Sequence, residues 1–155
     1  MNEFLFARIL HVLAVVVWIG GVSMVTTVII PSIKKMQKKE TQLNSFEQIE
    51  GKFASIAKIA TILTALSGFY MLYVLDAWHR YLDLSFWWLH AMTIIWLIFT
   101  LILFVLEPFL LRGLFKRFIQ ENQEKSLRIM QRAHWVLLLL SLITIAAGVA
   151  GSHGW

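Results

Sequence analysis

The sequence predicts an all-α integral membrane protein: an up-down-up-down bundle of four helices, with both termini on the outer side of the membrane. Hydrophobic residues make up 59% of the 155 residues, and the mean hydropathy is +0.72. A soluble domain of this size is far more polar. Four stretches lack Asp, Glu, Lys and Arg, and they cover residues 9–33, 59–75, 84–106 and 133–155. A membrane-spanning helix needs roughly 20 mostly apolar residues, so each stretch predicts one span.

The basic residues predict the orientation. Twelve of the fourteen lie in or beside the first and third connections, and only Arg8 and Arg80 lie on the other side. Because cytoplasmic loops are enriched in Lys and Arg, both basic connections are expected in the cytoplasm of a cell inner (plasma) membrane protein. This distribution explains the net charge of +5 without nucleic acid as a partner.

One transmembrane domain is expected over residues 1–155. Its helices are predicted at about 4–30, 54–75, 84–107 and 133–152, joined on the cytoplasmic side by residues 31–53 and 108–132. Both cytoplasmic connections have apolar residues at helical spacing and are expected to be partly helical. Pro31 and Pro108 mark the inner ends of helices one and three. The first residues carry no basic segment and no small-residue cleavage site follows, so the first run is expected to stay as a helix.

Each helix has a stripe of small or polar residues, which we expect to face its neighbours because lipid offers these residues no partner. The stripes are Ala7, His11, Ala14, Trp18, Gly21 and Val25 in helix one; Ala57, Thr61, Ala65, Gly68 and Leu72 in helix two; Phe86, His90, Thr93, Leu97, Thr100, Phe104 and Glu107 in helix three; and His134, Ser141, Thr144, Gly148 and Gly151 in helix four.

His11 and His90 are the leading candidates for a functional site, since an ionisable residue inside a span is costly. At 1.5 Å per residue, both lie about 10 Å from the outer end of their helices. Two imidazoles at one depth, on helices running in the same direction, suggest the two axial ligands of a b-type haem. A single membrane histidine more simply donates a hydrogen bond to a neighbouring helix.

Other residues are predicted to complete a haem site. Gly68 gives room for the porphyrin, together with the glycines of helix four. Arg8 pairs with a propionate, because its guanidinium fork suits carboxylates. Trp18 and Trp87 pack on the ring edge. The other three histidines, His79, His134 and His153, are expected to lie at the membrane surfaces.

Copper is the alternative cofactor. Met71 and Met92 share the outer half of the membrane with the histidines, and this set of sulfur and nitrogen ligands suits copper. The chain contains no cysteine, which excludes disulfides, thiolate iron–sulfur clusters and covalently attached haem.

Short motifs resemble those of HemJ-type protoporphyrinogen oxidases and the related CopD-type copper-resistance membrane proteins. They are His11 followed by Trp18, Gly20 and Gly21, then Trp88-Leu89-His90, and residues 59–68 of helix two. The resemblance implies b-type haem, with His11 as the matching helix-one histidine. Where the HemJ type has a lysine two positions after the helix-three histidine, this chain has Met92. The basic and aromatic segment that follows the helix-one glycine in that family is also replaced, so the resemblance supports haem binding more than porphyrinogen oxidation.

The sequence therefore predicts a membrane-embedded b-type haem protein that takes part in electron transfer or oxidation. Its haem lies between helices one and three near the outer face. Quinone or a periplasmic redox protein is the expected partner besides the lipid bilayer, and the chain could form a homo-oligomer or join a larger complex. Three alternatives stay open: copper transport or resistance, a protoporphyrinogen IX oxidase-like enzyme, and a non-catalytic subunit of a respiratory complex.

Overall fold

The described residues form helices and short helical turns, with no β-strand among them. The computed structural model describes residues 2–36, 39–110 and 122–153. Four helices are long and apolar enough to cross a membrane, and they confirm the four predicted spans. Within them the candidate spans are Glu3–Lys34, Gln48–Val74, Leu84–Phe109 and Gln123–Gly151.

Helices one and three each change their winding before a proline. Helix one is α-helical over Asn2–Met24, π-helical over Val25–Ile29 and α-helical again over Ile30–Lys34. Helix three is α-helical over Trp87–Leu101, π-helical over Ile102–Leu106 and α-helical over Glu107–Leu110. Pro31 and Pro108 cannot donate a backbone hydrogen bond, and the ring of each crowds the carbonyl four residues earlier. The wider π turn relieves this crowding, so both helices continue past the proline.

Helices two and four begin earlier than the sequence predicts. Helix two covers Lys39–Val74 and helix four covers Gln123–Ser152. The charged segments before both spans therefore continue the spanning helix instead of forming separate connections. Residues 111–121 of the predicted connection between helices three and four lie outside the described residues.

A short, structured connection joins helices two and three. It contains 3-10 turns at Trp78–Leu82 and Leu84–Phe86. Asp83 caps the second turn, since its Oδ1 accepts a 2.8 Å hydrogen bond from the backbone N–H of Ser85. This hydrogen bond lowers the pKa of the Asp83 carboxyl from its usual value. The Arg80 guanidinium lies 5.2 Å from the centre of the Phe86 ring and holds the two turns together.

Two antiparallel helix pairs share a similar design. Helix one packs most extensively on helix two, where Phe53 covers Gly21 and His11 covers Gly68. Helix three packs on helix four, where Met92 covers Gly148 and Trp88 covers Gly151. In each pair a large side chain fills the space above a glycine, which lets the two backbones approach.

The two pairs meet at several depths. In the middle, the Trp18 and Phe99 rings pack edge to face with centroids 4.8 Å apart. Trp96 of helix three donates its indole N–H to the Thr61 carbonyl of helix two over 3.1 Å. Nearer the two prolines, Lys58 of helix two and Glu107 of helix three form an ion pair of 2.7 Å.

The predicted stripes of helices one, two and four are confirmed. Their buried members are Ala7, Ala14, Trp18 and Val25 in helix one, Ala57, Thr61 and Leu72 in helix two, and Ser141 and Thr144 in helix four. The predicted stripe of helix three is wrong at Leu97 and Phe104, which are exposed, while Phe99 and Leu103 are buried instead. Helix three therefore packs mainly through an apolar face, although Glu107 of the stripe still pairs with Lys58 of helix two.

Candidate cofactor site

His11 is anchored to helix two through one ring nitrogen. Its Nδ1 lies 2.9 Å from the Thr64 carbonyl oxygen and 3.1 Å from the Ser67 hydroxyl. A carbonyl oxygen only accepts, so Nδ1 carries the proton and donates. In the neutral ring Nε2 then carries the lone pair, and within the described part of the chain no hydrogen bond reaches it.

Helix two is shaped to receive this ring. A Cβ added at Gly68 would lie 3.2 Å from His11 Cε1, which is closer than ordinary van der Waals contact. The Ser67 hydroxyl also donates to the Leu63 carbonyl over 2.6 Å, so it stays satisfied within helix two. The structure thus brings together His11 and Gly68, both predicted for the site. Sequence reasoning missed Thr64 and Ser67, although a hydroxyl residue directly before a glycine opposite a histidine was a usable signal.

His90 has a different environment. Its Nε2 lies 3.1 Å from the Tyr81 carbonyl, and its Nδ1 lies 3.1 Å from the Phe86 carbonyl one turn earlier. The Tyr81 ring packs edge to face on the imidazole with centroids 5.7 Å apart, and the Tyr81 hydroxyl bonds Thr93 over 2.7 Å. Both ring nitrogens therefore face carbonyl oxygens, and the connection before helix three covers the side chain.

The direction of His90 follows from the regular winding of helix three. His90 and Phe99 are nine residues apart in an α-helical segment. At 3.6 residues per turn this is about two and a half turns, which places them on opposite sides of the helix. Phe99 contacts Trp18 of helix one. His90 consequently points away from helix one in this structure.

Trp18 is 3% exposed, and its indole N–H has no hydrogen-bond partner among the described residues. It lies at the centre of the apolar cluster that joins the two helix pairs, together with Phe99 and Leu103. A buried indole N–H without a partner is costly, so this position offers a donor to any polar group that enters the core.

Arg8 and Trp87 lie on the surface of the described helices. Arg8 is exposed and borders a shallow apolar groove with Leu5, Ile9, Val12 and Leu13 on helix one. Trp87 is 55% exposed and packs edge to face on Trp88. Both lie where membrane headgroups or a group at the rim of a cofactor could meet them.

The remaining histidines bond to nearby backbone. His134 Nδ1 bonds the Met130 carbonyl over 2.9 Å, and His153 Nδ1 bonds the Val149 carbonyl over 2.8 Å. His79 bonds the Asp76 carbonyl over 3.0 Å. Across the described ranges, no three His, Cys, Asp or Glu side chains lie close enough together to hold a metal ion.

Comparison with family models, curated proteins and solved structures finds no match for this chain. The four spans and the geometry around the two histidines therefore carry the functional argument alone.

Proposed function

We propose that this chain is a multi-pass membrane b-type haem protein, with the haem between the outer halves of helices one and three and His11 as an axial ligand. The anchoring of His11 carries the proposal. Histidines that bind metals almost always donate their second ring N–H to a carbonyl, carboxylate or water, which fixes the tautomer and orients the ring. The Thr64 carbonyl does this for His11 and leaves Nε2 as the coordinating nitrogen.

Haem fits the available donors better than a bare metal ion. A porphyrin supplies four nitrogen ligands, so the protein needs to add only one or two. Copper without a porphyrin needs several protein ligands, and the described residues bring together no cluster of His and carboxylate side chains. Copper handling, as in the CopD type, is accordingly the second candidate.

The proposed orientation places the haem near the outer surface. Both termini face outward and both basic connections face the cytoplasm of a plasma membrane. The antiparallel contacts within each helix pair agree with an up-down-up-down bundle. When bound, haem supplies one-electron chemistry, and the protein contributes a rigid ligand in an apolar site. Quinol or a redox protein on the outer side is the partner that this location favours.

The residue that would hold the iron opposite His11 is not yet assigned. The sequence predicts His90, and the HemJ-type resemblance also maps a histidine there. To reach an iron beside His11, the His90 ring would have to leave the Tyr81 carbonyl and turn around helix three.

The test is the visible spectrum of the purified full chain, produced with haem supplied. We expect a b-type α band on reduction with dithionite, and its loss in His11→Ala. His134→Ala is the matched control, because His134 also lies within a span but bonds only its own helix.

A well-folded wild-type protein that contains no haem would overturn the proposal, and bound copper in elemental analysis would then favour the second candidate. Equal haem loss from His11→Ala and His134→Ala would remove His11 from the site.

A further inference from the structure

The contact between Trp18 and Phe99 fixes which faces of helices one and three are turned toward each other. The ring centroids are 4.8 Å apart, and both residues are almost completely buried. Helix one runs antiparallel to helix two, and the Lys58–Glu107 and Thr61–Trp96 contacts make helix three antiparallel to helix two as well. Helices one and three therefore run in the same direction from this contact.

Seven residues outward from each ring, the same faces carry two potential iron ligands. His11 precedes Trp18 by seven residues, and Met92 precedes Phe99 by seven residues, all within α-helical segments. Seven residues make almost two full turns and about 10 Å of rise. His11 and Met92 thus lie at one level, each on the face of its helix that makes the Trp18–Phe99 contact. The His11 ring rests on Gly68 of helix two, and the Met92 thioether rests on Gly148 of helix four.

Met92 is also placed like His11 within its own helix pair. A Cβ added at Gly148 of helix four would lie 2.7 Å from Met92 Cε and 3.4 Å from its Sδ, just as the His11 ring covers Gly68 of helix two. The Met92 thioether is therefore held at the interface by a glycine. Its flexible end can reach an iron by rotation about single bonds.

His90 lacks these features. It lies on the opposite side of helix three from Phe99, and both of its nitrogens face backbone carbonyls. Using His90 as a ligand would require breaking the hydrogen bond to Tyr81 and displacing the connection that covers it.

We propose that Met92 is the second axial ligand of the haem, so that the iron is held by His11 and Met92. This inference rests on the proposed function, because it needs a bound haem. Thioether sulfur is an established axial ligand of haem and raises the reduction potential relative to a second histidine. His90 is then a structural residue that fastens the connection between helices two and three onto helix three.

The experiment compares Met92→Leu, Met92→His and His90→Gln with the wild-type chain, all purified with haem supplied. The control is Met24→Leu, since Met24 is 58% exposed on helix one. Three properties are measured on the ferric and ferrous proteins: the long-wavelength sulfur-to-iron charge-transfer band, the electron paramagnetic resonance spectrum, and the midpoint potential.

We expect the wild type, His90→Gln and Met24→Leu to show the charge-transfer band and one common midpoint potential. Met92→Leu should keep haem through His11, lose the band and have a lower potential. Met92→His should give the resonance spectrum of two histidine ligands, also with a lower potential, and it serves as the second test if Met92→Leu folds poorly.

Haem-loaded wild type without the band, or a loss of axial ligation in His90→Gln while Met92→Leu is unchanged, would overturn the assignment and return the ligand role to His90. Such a result would leave the haem proposal standing. Wild-type protein without any haem would overturn both proposals.

Discussion

In both helix pairs a large side chain packs over a glycine of the neighbouring helix, but the side chains differ between the two pairs. In the pair of helices one and two, small residues bring the backbones together and a rigid imidazole covers Gly68. In the pair of helices three and four, Met92 and Trp88 fill the space above two glycines. In the most apolar stretch of helix one 39% of residues are buried, against 11% for helix three. The first pair is therefore the more tightly packed, and we expect the second to adapt more readily to a ligand.

The tight contact between helices one and two gives the largest expected effect on stability. A Cβ at Gly21 would lie 1.9 Å from Phe53 Cε2, so Gly21→Ala must displace a packed ring. We expect a loss of about 1–3 kcal/mol, seen as a lower unfolding temperature in detergent. Gly20→Ala is the matched control, since nothing lies within 4 Å of its added Cβ. If both variants unfold at the same temperature, the close approach at Gly21 does not exist.

Gly68 lies beneath His11 and Gly148 lies beneath Met92, and substitution of each glycine tests how far the side chain above it can move. In Gly68→Ala the new methyl group presses on an imidazole held by the Thr64 carbonyl, so we expect about 10-fold weaker haem retention, as for other changes next to a metal ligand. In Gly148→Ala it meets only the flexible end of Met92, and haem retention should stay near wild type. The measurement is haem per protein after dilution and washing in detergent. A larger loss from Gly148→Ala would reverse the assignment of rigid and adaptable pairs.

The connection that covers His90 should give the smallest effect, and one that depends on pH. The Asp83 carboxylate accepts the Ser85 N–H, and its pKa is lowered. A lowered pKa in the folded state means that this contribution is complete above the ordinary carboxyl pKa and is lost as the pH falls through the lowered value. Acidification should therefore lower the hydrogen-exchange protection factors of residues 78–86, which are the ratios of the intrinsic to the observed exchange rate at each pH.

In Asp83→Asn the uncharged amide still offers an oxygen to Ser85, so the protection factors of residues 78–86 should become independent of pH in the acidic range. The exchange of helices one and two serves as an internal control. A pH response in Asp83→Asn equal to that of the wild type would show that another group controls the connection.

Sequence reasoning predicted most of this architecture. The four spans follow from composition, and the faces of helices one, two and four follow from small and hydroxyl residues such as Ala14, Thr61 and Ser141, all buried as expected. The contact of His11 with Gly68 also agrees with the predicted stripes. These predictions succeed because, in lipid, small and polar side chains gain only from contact with another helix.

The same rule fails for helix three for a physical reason. His90 and Thr93 are polar, but the connection before the helix satisfies them through Tyr81, and His90 also bonds its own helix at Phe86. The part of the polar stripe around His90 and Thr93 was thus free to turn away from the other helices. No pattern within helix three reveals that Tyr81 supplies these partners, since the pairing depends on how residues 76–86 fold.

The amino-acid sequence by itself determined that four helices are long and apolar enough to cross a membrane and which face of helix one carries His11, because transfer of side chains into lipid depends on local composition and helical period. The tertiary structure decided which residue of helix three meets that face. Trp18 and Phe99 make contact only when the helix pairs assemble, and that contact leaves His90 on the opposite side of helix three.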